Sequence, residues 1–307
     1  MKILVTGASG HIGGAVARLS RGEGHVVRTL VRDPGRAPAG SEAIPIDLAH
    51  ATPDALARAV DGCDAVVHAA AWMGDEGHAE TALAVNITGT LRLLEAAAGR
   101  AQTFVLVSGL NFLRAPLTGT ISETYPVSVP SDLYALGKLA AEGLAAWFVR
   151  TSSDFRVVVL RPSSPVGPGL RRRRIFSLFC DAAVAGAPLR IHGSGSRVQD
   201  YVDARDIARA VLAALEHPGA TGVFHVGSGV AVSNLELARR CVAVLDSPSE
   251  IRFSGLPDPE EGPEWVLDIR RAARELGWKP MIPLEDSIRD YVTWRRAAEG
   301  LAGGPLS

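Results

Sequence analysis

The chain has 307 residues, 47% of them hydrophobic and 21% charged, with a formal net charge of -1 at pH 7. That is enough apolar material for one large core, or a core with a smaller companion, and near-neutrality gives no electrostatic reason to expect nucleic acid or an anionic membrane as partner. Cys63, Cys180 and Cys241 lack metal-ligand spacing and suit a reducing, cytoplasmic setting. No run of about 18 apolar residues points to a membrane span. Met1-Lys2-Ile3-Leu4-Val5 is too short an apolar run for a secretory signal.

Lys2 to Val5 reads as a first strand, leading into Thr6-Gly7-Ala8-Ser9-Gly10-His11-Ile12-Gly13-Gly14 and a helical pattern through Val16, Leu19 and Gly22. Strand, glycine turn and helix in this order let backbone approach a pyrophosphate whose charge meets the helix N-terminus. Gly7, Ser9, Gly10, His11, Ile12 and Gly13 are therefore candidate cofactor contacts. His25 to Val31 is the second strand, and its end should meet the adenosine ribose. Dinucleotide sites place an acid there for a 2′-hydroxyl, or an arginine for a 2′-phosphate. Val31 stands where the acid would be and Arg32 follows, so NADP(H) is expected over NAD(H), unless Asp33 takes the acid's role one residue late.

Ala43 to Ile46 is strand-like and ends in Asp47-Leu48, a candidate adenine-edge contact, and a helix runs from Pro53 to Val60. Ala65 to Ala71 is a fourth strand whose small residues, Ala69 and Ala70 among them, leave the cofactor room; His68 within it reads as packed and hydrogen-bonded rather than catalytic. Trp72 to Glu80 is a substrate-facing loop with Trp72, Met73, Asp75, Glu76 and His78. A helix carrying Asn86 and a fifth strand, Phe104 to Ser108, follow.

Pro130 to Phe148 reads as a helix with Ser131 as N-cap. Tyr134 and Lys138 lie at i and i+4, so phenol and ammonium share one face. A tyrosine alone ionises near pKa ~10, and a fixed cation nearby would draw it toward a working base. Lys138 is one of only three lysines, with Lys2 and Lys279. Val157 to Leu160 is a sixth strand. Arg171 to Arg174 could grip a phosphate or carboxylate, or simply form a solvated loop and helix start. Asp203 and Asp206 should cap and hold the helix from Ala204. Val223 to Val226 is a seventh strand, Ser233-Asn234 caps a helix toward Leu245, Pro257 to Pro263 is an acidic surface loop, and Leu284 to Ala298 is the last helix. The tail after Gly300 is expected to be mobile.

Taken together, Thr6-Gly-x-x-Gly-x-x-Gly13, Asp47-Leu48, His68-x-Ala-Ala, Asn86, Tyr134-x-x-x-Lys138, Arg161-Pro162 through Gly167-Pro168 and Asp200-Tyr-Val-Asp-x-x-Asp206 resemble the extended short-chain dehydrogenase/reductases, in their NAD(P)-dependent epimerase/dehydratase group. The resemblance implies an α/β fold: a Rossmann-type doubly wound parallel sheet with a smaller, C-terminal-weighted substrate domain. Residues 1 to 165 and a strand near 221–228 would form the first, and 166–198 with 230–300 the second. It adds Asn86, Pro162, Tyr134 and Lys138 to the cofactor contacts, and implies a homodimer built through the helices holding Asn86 and Tyr134.

The chain departs from this pattern in two places. The family's catalytic Ser or Thr follows the fifth strand, and here Gly109 stands at that position; Ser108, Asn111 or Ser122 could replace it. Sugar-nucleotide members carry an arginine directly before the aspartate equivalent to Asp200, contacting a diphosphate, whereas this chain has Gln199, with Arg197 two residues earlier. Three functions follow as expectations. The first is an NADPH-dependent ketoreductase acting on a small carbonyl or alcohol, with Tyr134, Lys138 and Ser108 catalytic. The second is a sugar-nucleotide epimerase or dehydratase with a tightly held cofactor. The third is a cofactor-sensing Rossmann protein without turnover.

Overall fold

The structure is a computed structural model and describes residues 1–74, 78–130, 132–152 and 154–298. The N-terminal part runs β1 (Lys2–Thr6), α1 (His11–Gly22), β2 (Val26–Val31), β3 (Glu42–Pro45), α2 (Pro53–Val60), β4 (Ala65–His68), α3 (Ala79–Leu83), α4 (Thr90–Ala97), β5 (Thr103–Val107), β6 (Gly119–Ile121), α5 (Leu133–Thr151) and β7 (Arg156–Pro162). There follow β8 (Ser164–Val166), α6 (Ile175–Val184), β9 (Leu189–Ile191), β10 (Val198–Asp203), α7 (Ala204–Glu216), β11 (Gly222–Val226), β12 (Ala231–Ser233), α8 (Asn234–Val244), β13 (Ile251–Phe253), β14 (Trp265–Leu267), α9 (Arg270–Glu275) and α10 (Leu284–Ala298).

Seven strands pair in parallel in the order β11-β7-β5-β4-β1-β2-β3. Their apolar residues alternate between two cores, as the period of two in a strand requires. Val5, Val67, Val105 and Val158 pack on one side with α1 and α7, and Leu4, Val66, Phe104 and Val157 on the other with α2, α4 and α5. The chain turns back across the sheet between β1 and β4, so the crevice beyond their C-terminal ends is where an open α/β sheet binds ligands. A third core gathers Phe176, Phe179, Leu189, Tyr201, Leu237 and Tyr291. Beside it lie small sheets of β12-β10-β8 and β13-β9, and β14 pairs with β6.

All seven expected strands are present, with ends shifted by a few residues. β4 stops at His68, the last residue in register with Thr6, because Ala69 and Ala70 leave the sheet to fold over the glycine loop. Asp132 caps α5, accepting from the Ala135 N–H at 2.8 Å, and the helix continues to Thr151; Ser131, the cap expected from sequence, lies outside the described residues. Asp203 and Ser233 cap α7 and α8 as read from sequence.

α5 approaches the chain closely at Gly137. A Cβ there would stand 2.6 Å from Asn86 Cβ, in the π-helical turn Ala84–Gly89 that precedes α4. Asn86 cannot yield, because its amide is bonded at both ends to Trp72. Gly137→Ala is expected to destabilise by about 1–3 kcal/mol through overpacking. Gly143→Ala on the same helix has open space around it and should gain up to about 1 kcal/mol from helix propensity. Paired thermal melts read the two signs.

Candidate active site

The loop after β1 is shaped by what its glycines lack. Gly7 has φ +69°, and a Cβ on it would stand 2.6 Å from the Ala70 nitrogen. A Cβ on Gly13 would stand 2.4 Å from the Gly7 carbonyl oxygen, which already accepts from the Gly10 N–H at 2.9 Å. No side chain caps α1, so the N–H groups of its first turn face outward, with the positive end of the helix behind them. This cradle, which any Cβ would fill, fits a dinucleotide pyrophosphate. Ser9 is exposed beside it and Ile12 packs partly into the core beneath. The His11 ring turns away, toward the Val166 and Pro168 carbonyls, and burial pushes its pKa down to about 4, leaving it neutral.

At the end of β2, Val31 is buried and Arg32 exposed, with no partner among the described residues. Asp33 accepts from the Gly35 N–H at 2.9 Å. Asp47 folds back on the Ala49 N–H and His50, and Leu48 is buried.

At the end of β4, a run of hydrogen bonds fixes the crevice wall. Thr90 Oγ1 donates to the Asn86 carbonyl at 2.8 Å, so it must accept from His68 Nε2 at 2.9 Å. His68 Nδ1 then accepts from Thr6 Oγ1 at 2.7 Å, which in turn accepts from the Ala70 N–H at 3.1 Å. Burial, reinforced by Lys138, lowers the His68 pKa to about 3, consistent with the packed histidine read from sequence. Asn86 holds Trp72 through both its backbone N–H and its carbonyl, so its amide builds the wall and is not free for a ligand. Of the loop that follows, Asp75 and Glu76 lie outside the described residues.

On α5, Lys138 is buried and its Nζ donates to the Val107 carbonyl at 2.7 Å, tying the helix to the end of β5. It lies 5.7 Å from the Tyr134 ring centre. Burial lowers the Lys138 pKa to about 8 against the raising effect of Glu142. The expectation that Lys138 draws the phenol down does not hold in this geometry. Burial raises the Tyr134 pKa, and the cations pulling against it are Arg172 and Arg174, with Asp132 adding to the rise. Below this pair, Glu142 takes the Arg161 guanidinium in a buried two-point bond of 2.9 and 2.7 Å, locking α5 to β7 beside Pro162.

Near the vacant position 109, Ser108 Oγ is buried without a partner, and Ser122 Oγ bonds Thr124 at 3.0 Å. Asn111 is exposed. Arg171 to Arg174 are exposed and form no ion pair among the described residues, while Arg172 reaches the Met73 carbonyl at 3.1 Å. The arginine run thus borders Tyr134 across the crevice. Asp200 is buried and joins Ser163 to the Ser228 and Gly229 N–H groups, each at 2.7 Å. Gln199 Oε1 accepts from Ser164 at 2.7 Å, and Arg197 is paired with Asp258 and Glu260. Among the described residues no group of three His, Cys, Asp or Glu side chains could hold a metal ion.

Thr6, Thr90, Gly137 and the Glu142–Arg161 pair take roles here that the sequence alone did not assign. Two of these carried a local signal: Thr90 lies four residues after Asn86, and Glu142 four after Lys138, each on the same helical face.

A family model for the NAD dependent epimerase/dehydratase family matches residues 3–227. A UDP-glucose 4-epimerase of Mycolicibacterium smegmatis is 32% identical over 224 residues, covering 69% of this chain and 68% of that protein. A dTDP-glucose 4,6-dehydratase of an Actinoplanes species is 30% identical over 220 residues, covering 70% and 67%. The solved structure of MoeE5 with UDP-glucuronic acid and NAD superposes with a TM-score of 0.84 at 26% identity, over 97% of this chain and 100% of the other. The chain is an enzyme of the extended short-chain dehydrogenase/reductase type and belongs to the NAD dependent epimerase/dehydratase family.

Proposed function

We propose that this enzyme is an NAD-dependent epimerase that oxidises a secondary alcohol of a sugar nucleotide and reduces the same carbon again. The observation that carries the proposal is the placement of Tyr134 and Lys138 on α5, with Lys138 anchored to the end of β5, in a chain whose relatives epimerise or dehydrate sugar nucleotides. These relatives favour the epimerase/dehydratase expectation over the ketoreductase one. Epimerisation is preferred over dehydration because Gly109-Leu110-Asn111 offers no acid/base pair beside the crevice.

Gly7, Gly10 and Gly13 let the first turn of α1 seat the pyrophosphate, Asp47 and Leu48 border the adenine, and Ala69 and Ala70 leave the nicotinamide half its space. Lys138 binds the nicotinamide ribose from its fixed position on Val107. Bound NAD supplies a hydride acceptor and, in the return step, a hydride donor. Tyr134 takes the hydroxyl proton on oxidation and returns it on reduction. Gln199 spends its carbonyl on Ser164, so its amide N–H groups remain to meet the diphosphate as uncharged donors. NAD(H) is proposed as the cofactor because MoeE5 binds it. The free Arg32 guanidinium is what favours NADP(H).

The test is to supply NAD and UDP-glucose or dTDP-glucose and resolve the products by chromatography. A 4-epimer formed without net release of NADH is expected. A dehydrated keto-sugar would make the enzyme a dehydratase, and net consumption of NADPH against a ketone would restore the ketoreductase. NAD should bind at least as tightly as NADP, and Arg32→Ala should weaken NADP alone; a clear NADP preference measured by calorimetry would reverse the cofactor assignment.

A further inference from the structure

We propose that Asn111 is a catalytic residue of this enzyme. Its side-chain amide occupies the place of the hydroxyl missing at position 109 and donates a hydrogen bond to the substrate oxygen as it becomes a carbonyl. The proposal rests on the epimerase reading of the Tyr134 site.

The geometry begins at the end of β5. The Val107 carbonyl holds the Lys138 ammonium, and Ser108 N–H still pairs with the Leu160 carbonyl at 2.7 Å, so position 109 emerges from a fixed strand end beside the Tyr134–Lys138 pair. Gly109 leaves this space without a side chain. A Cβ built on it would meet one atom within 4 Å, Asn111 Oδ1 at 3.3 Å. The amide therefore borders the volume that a Ser or Thr side chain would enter.

Asn111 is held there by its neighbours. Leu113 N–H bonds the Leu110 carbonyl at 3.0 Å, and Ser128 N–H the Phe112 carbonyl at 2.9 Å. Phe112 is fully buried under the Arg161 guanidinium, 5.1 Å from its ring centre. The backbone on either side of Asn111 is thus tied down, while its own amide is exposed and has no partner among the described residues. The two other candidates are less available: Ser108 Oγ is sealed from solvent and Ser122 Oγ is engaged by Thr124.

A carboxamide presents oxygen or nitrogen at nearly the same point after a half turn of its terminal torsion, so Asn111 can aim Nδ2–H at an incoming oxygen. On oxidation the carbinol C–H bond breaks and its electron pair leaves as hydride to the nicotinamide. The O–H proton passes to the Tyr134 phenolate, and the C=O bond forms. Asn111 Nδ2 donates to that oxygen in each hydride-transfer step and gains or loses no proton. Once the keto sugar has turned to present its opposite face, hydride returns to carbon with inverted configuration and the proton returns from Tyr134. A fixed donor of this kind acts where charge develops, and all proton traffic falls to the tyrosine.

With UDP-glucose and NAD as probes, Asn111→Ala should lower kcat by about 10²–10³-fold with KM changed by less than about threefold. Asn111→Asp keeps the shape but sets an anion against the forming oxyanion, so it should fall below the alanine variant at neutral pH, which a structural role for the amide would not produce. Adding Gly109→Ser to Asn111→Ala should restore at least about tenfold of the loss, since a hydroxyl donor replaces the amide. A single Asn111→Ala variant that keeps most of its kcat, or a Ser108→Ala variant that takes the loss instead, overturns the proposal. Thermal melts supply a substrate-free arm: Gly109→Ser should be less favourable to the melting temperature in the native chain than in the Asn111→Ala background, because beyond its chain neighbours only Asn111 meets the new Cβ. Additive shifts would overturn the placement. If the native enzyme forms no epimer from UDP-glucose or dTDP-glucose, the epimerase reading fails, and the melting cycle still decides where the Asn111 amide stands.

Discussion

Tyr134→Phe is expected to lose about 10²–10⁴-fold in kcat, the range a positioned general acid or base contributes, while NAD affinity and the melting temperature change little. The substitution removes only the hydroxyl, and Lys138 keeps its bond to the Val107 carbonyl. Full activity in this variant would refute the mechanism. The pH dependence has a defined sign. Burial holds the Tyr134 phenol above its ordinary pKa, with Arg172 and Arg174 pulling against it, so at neutral pH the residue carries its proton. The reductive half-reaction needs that proton and should be flat through neutral pH, falling as pH passes the phenol's pKa. The oxidative half-reaction needs the phenolate and should rise over the same interval. Replacing Arg172 and Arg174 with alanine removes the cations that favour the phenolate, so both limbs should move to higher pH. Stopped-flow rates of nicotinamide reduction and reoxidation would show a shift either way, and one to lower pH would sink the assignment of these arginines.

Gly13→Ala should produce the second large effect. The new Cβ would stand 2.4 Å from the Gly7 carbonyl oxygen and 2.7 Å from its carbon, and both are backbone atoms in a turn closed by the Gly10 N–H. Relief requires the cradle to open, at a cost of about 1–3 kcal/mol or more. NAD affinity should fall at least about tenfold, since every 1.4 kcal/mol of lost positioning is a decade. Gly22→Ala, at the far end of the same helix with nothing within 4 Å, is the control and should leave both binding and stability nearly unchanged. Calorimetry with NAD on the two variants separates a damaged cradle from a general helix effect; equal affinities would mean that the cradle does not seat the pyrophosphate.

Much of the architecture could be read along the chain because its signals are local. Apart from the exposed edge strand β3, the strands of the large sheet are largely buried and mainly apolar runs, and each of α1, α2, α5, α7 and α8 shows periodicity or a capping residue within a few positions of its start. The six-residue β10 and the three-residue strands β6, β8, β9, β12, β13 and β14 escaped. Three residues carry no measurable alternation, and partners such as Trp265–Leu267 with Gly119–Ile121 are brought together only by the folded chain. The π-helical turn at Ala84–Gly89 escaped for a related reason: it widens the helix where Asn86 must reach Trp72 and meet Gly137, contacts that belong to three different segments.

The cofactor and the acid/base pair show the same division. Val31-Arg32-Asp33 led to an NADP(H) reading, whereas MoeE5, of similar fold, holds NAD. The charge at the end of β2 is one local signal for a contact made by a whole loop. Tyr134 and Lys138 were legible because i and i+4 share a helix face whatever lies around them. The direction of the Tyr134 pKa was not, because burial in the folded chain sets it, against the pull of two arginines from a distant loop.

By itself, then, the sequence determined the parallel sheet, the glycine cradle at its first turn and the tyrosine–lysine pair on one helix, since each follows from hydrophobic period, backbone freedom or helical spacing over a few residues. Only the tertiary structure decided that His68 is a neutral strut between Thr6 and Thr90, that Lys138 answers to the Val107 carbonyl more than to the phenol, and that the Asn111 amide borders the space Gly109 leaves open. These depend on distances between segments far apart in the chain, where burial and hydrogen-bond partners, rather than residue type, set what a side chain can do.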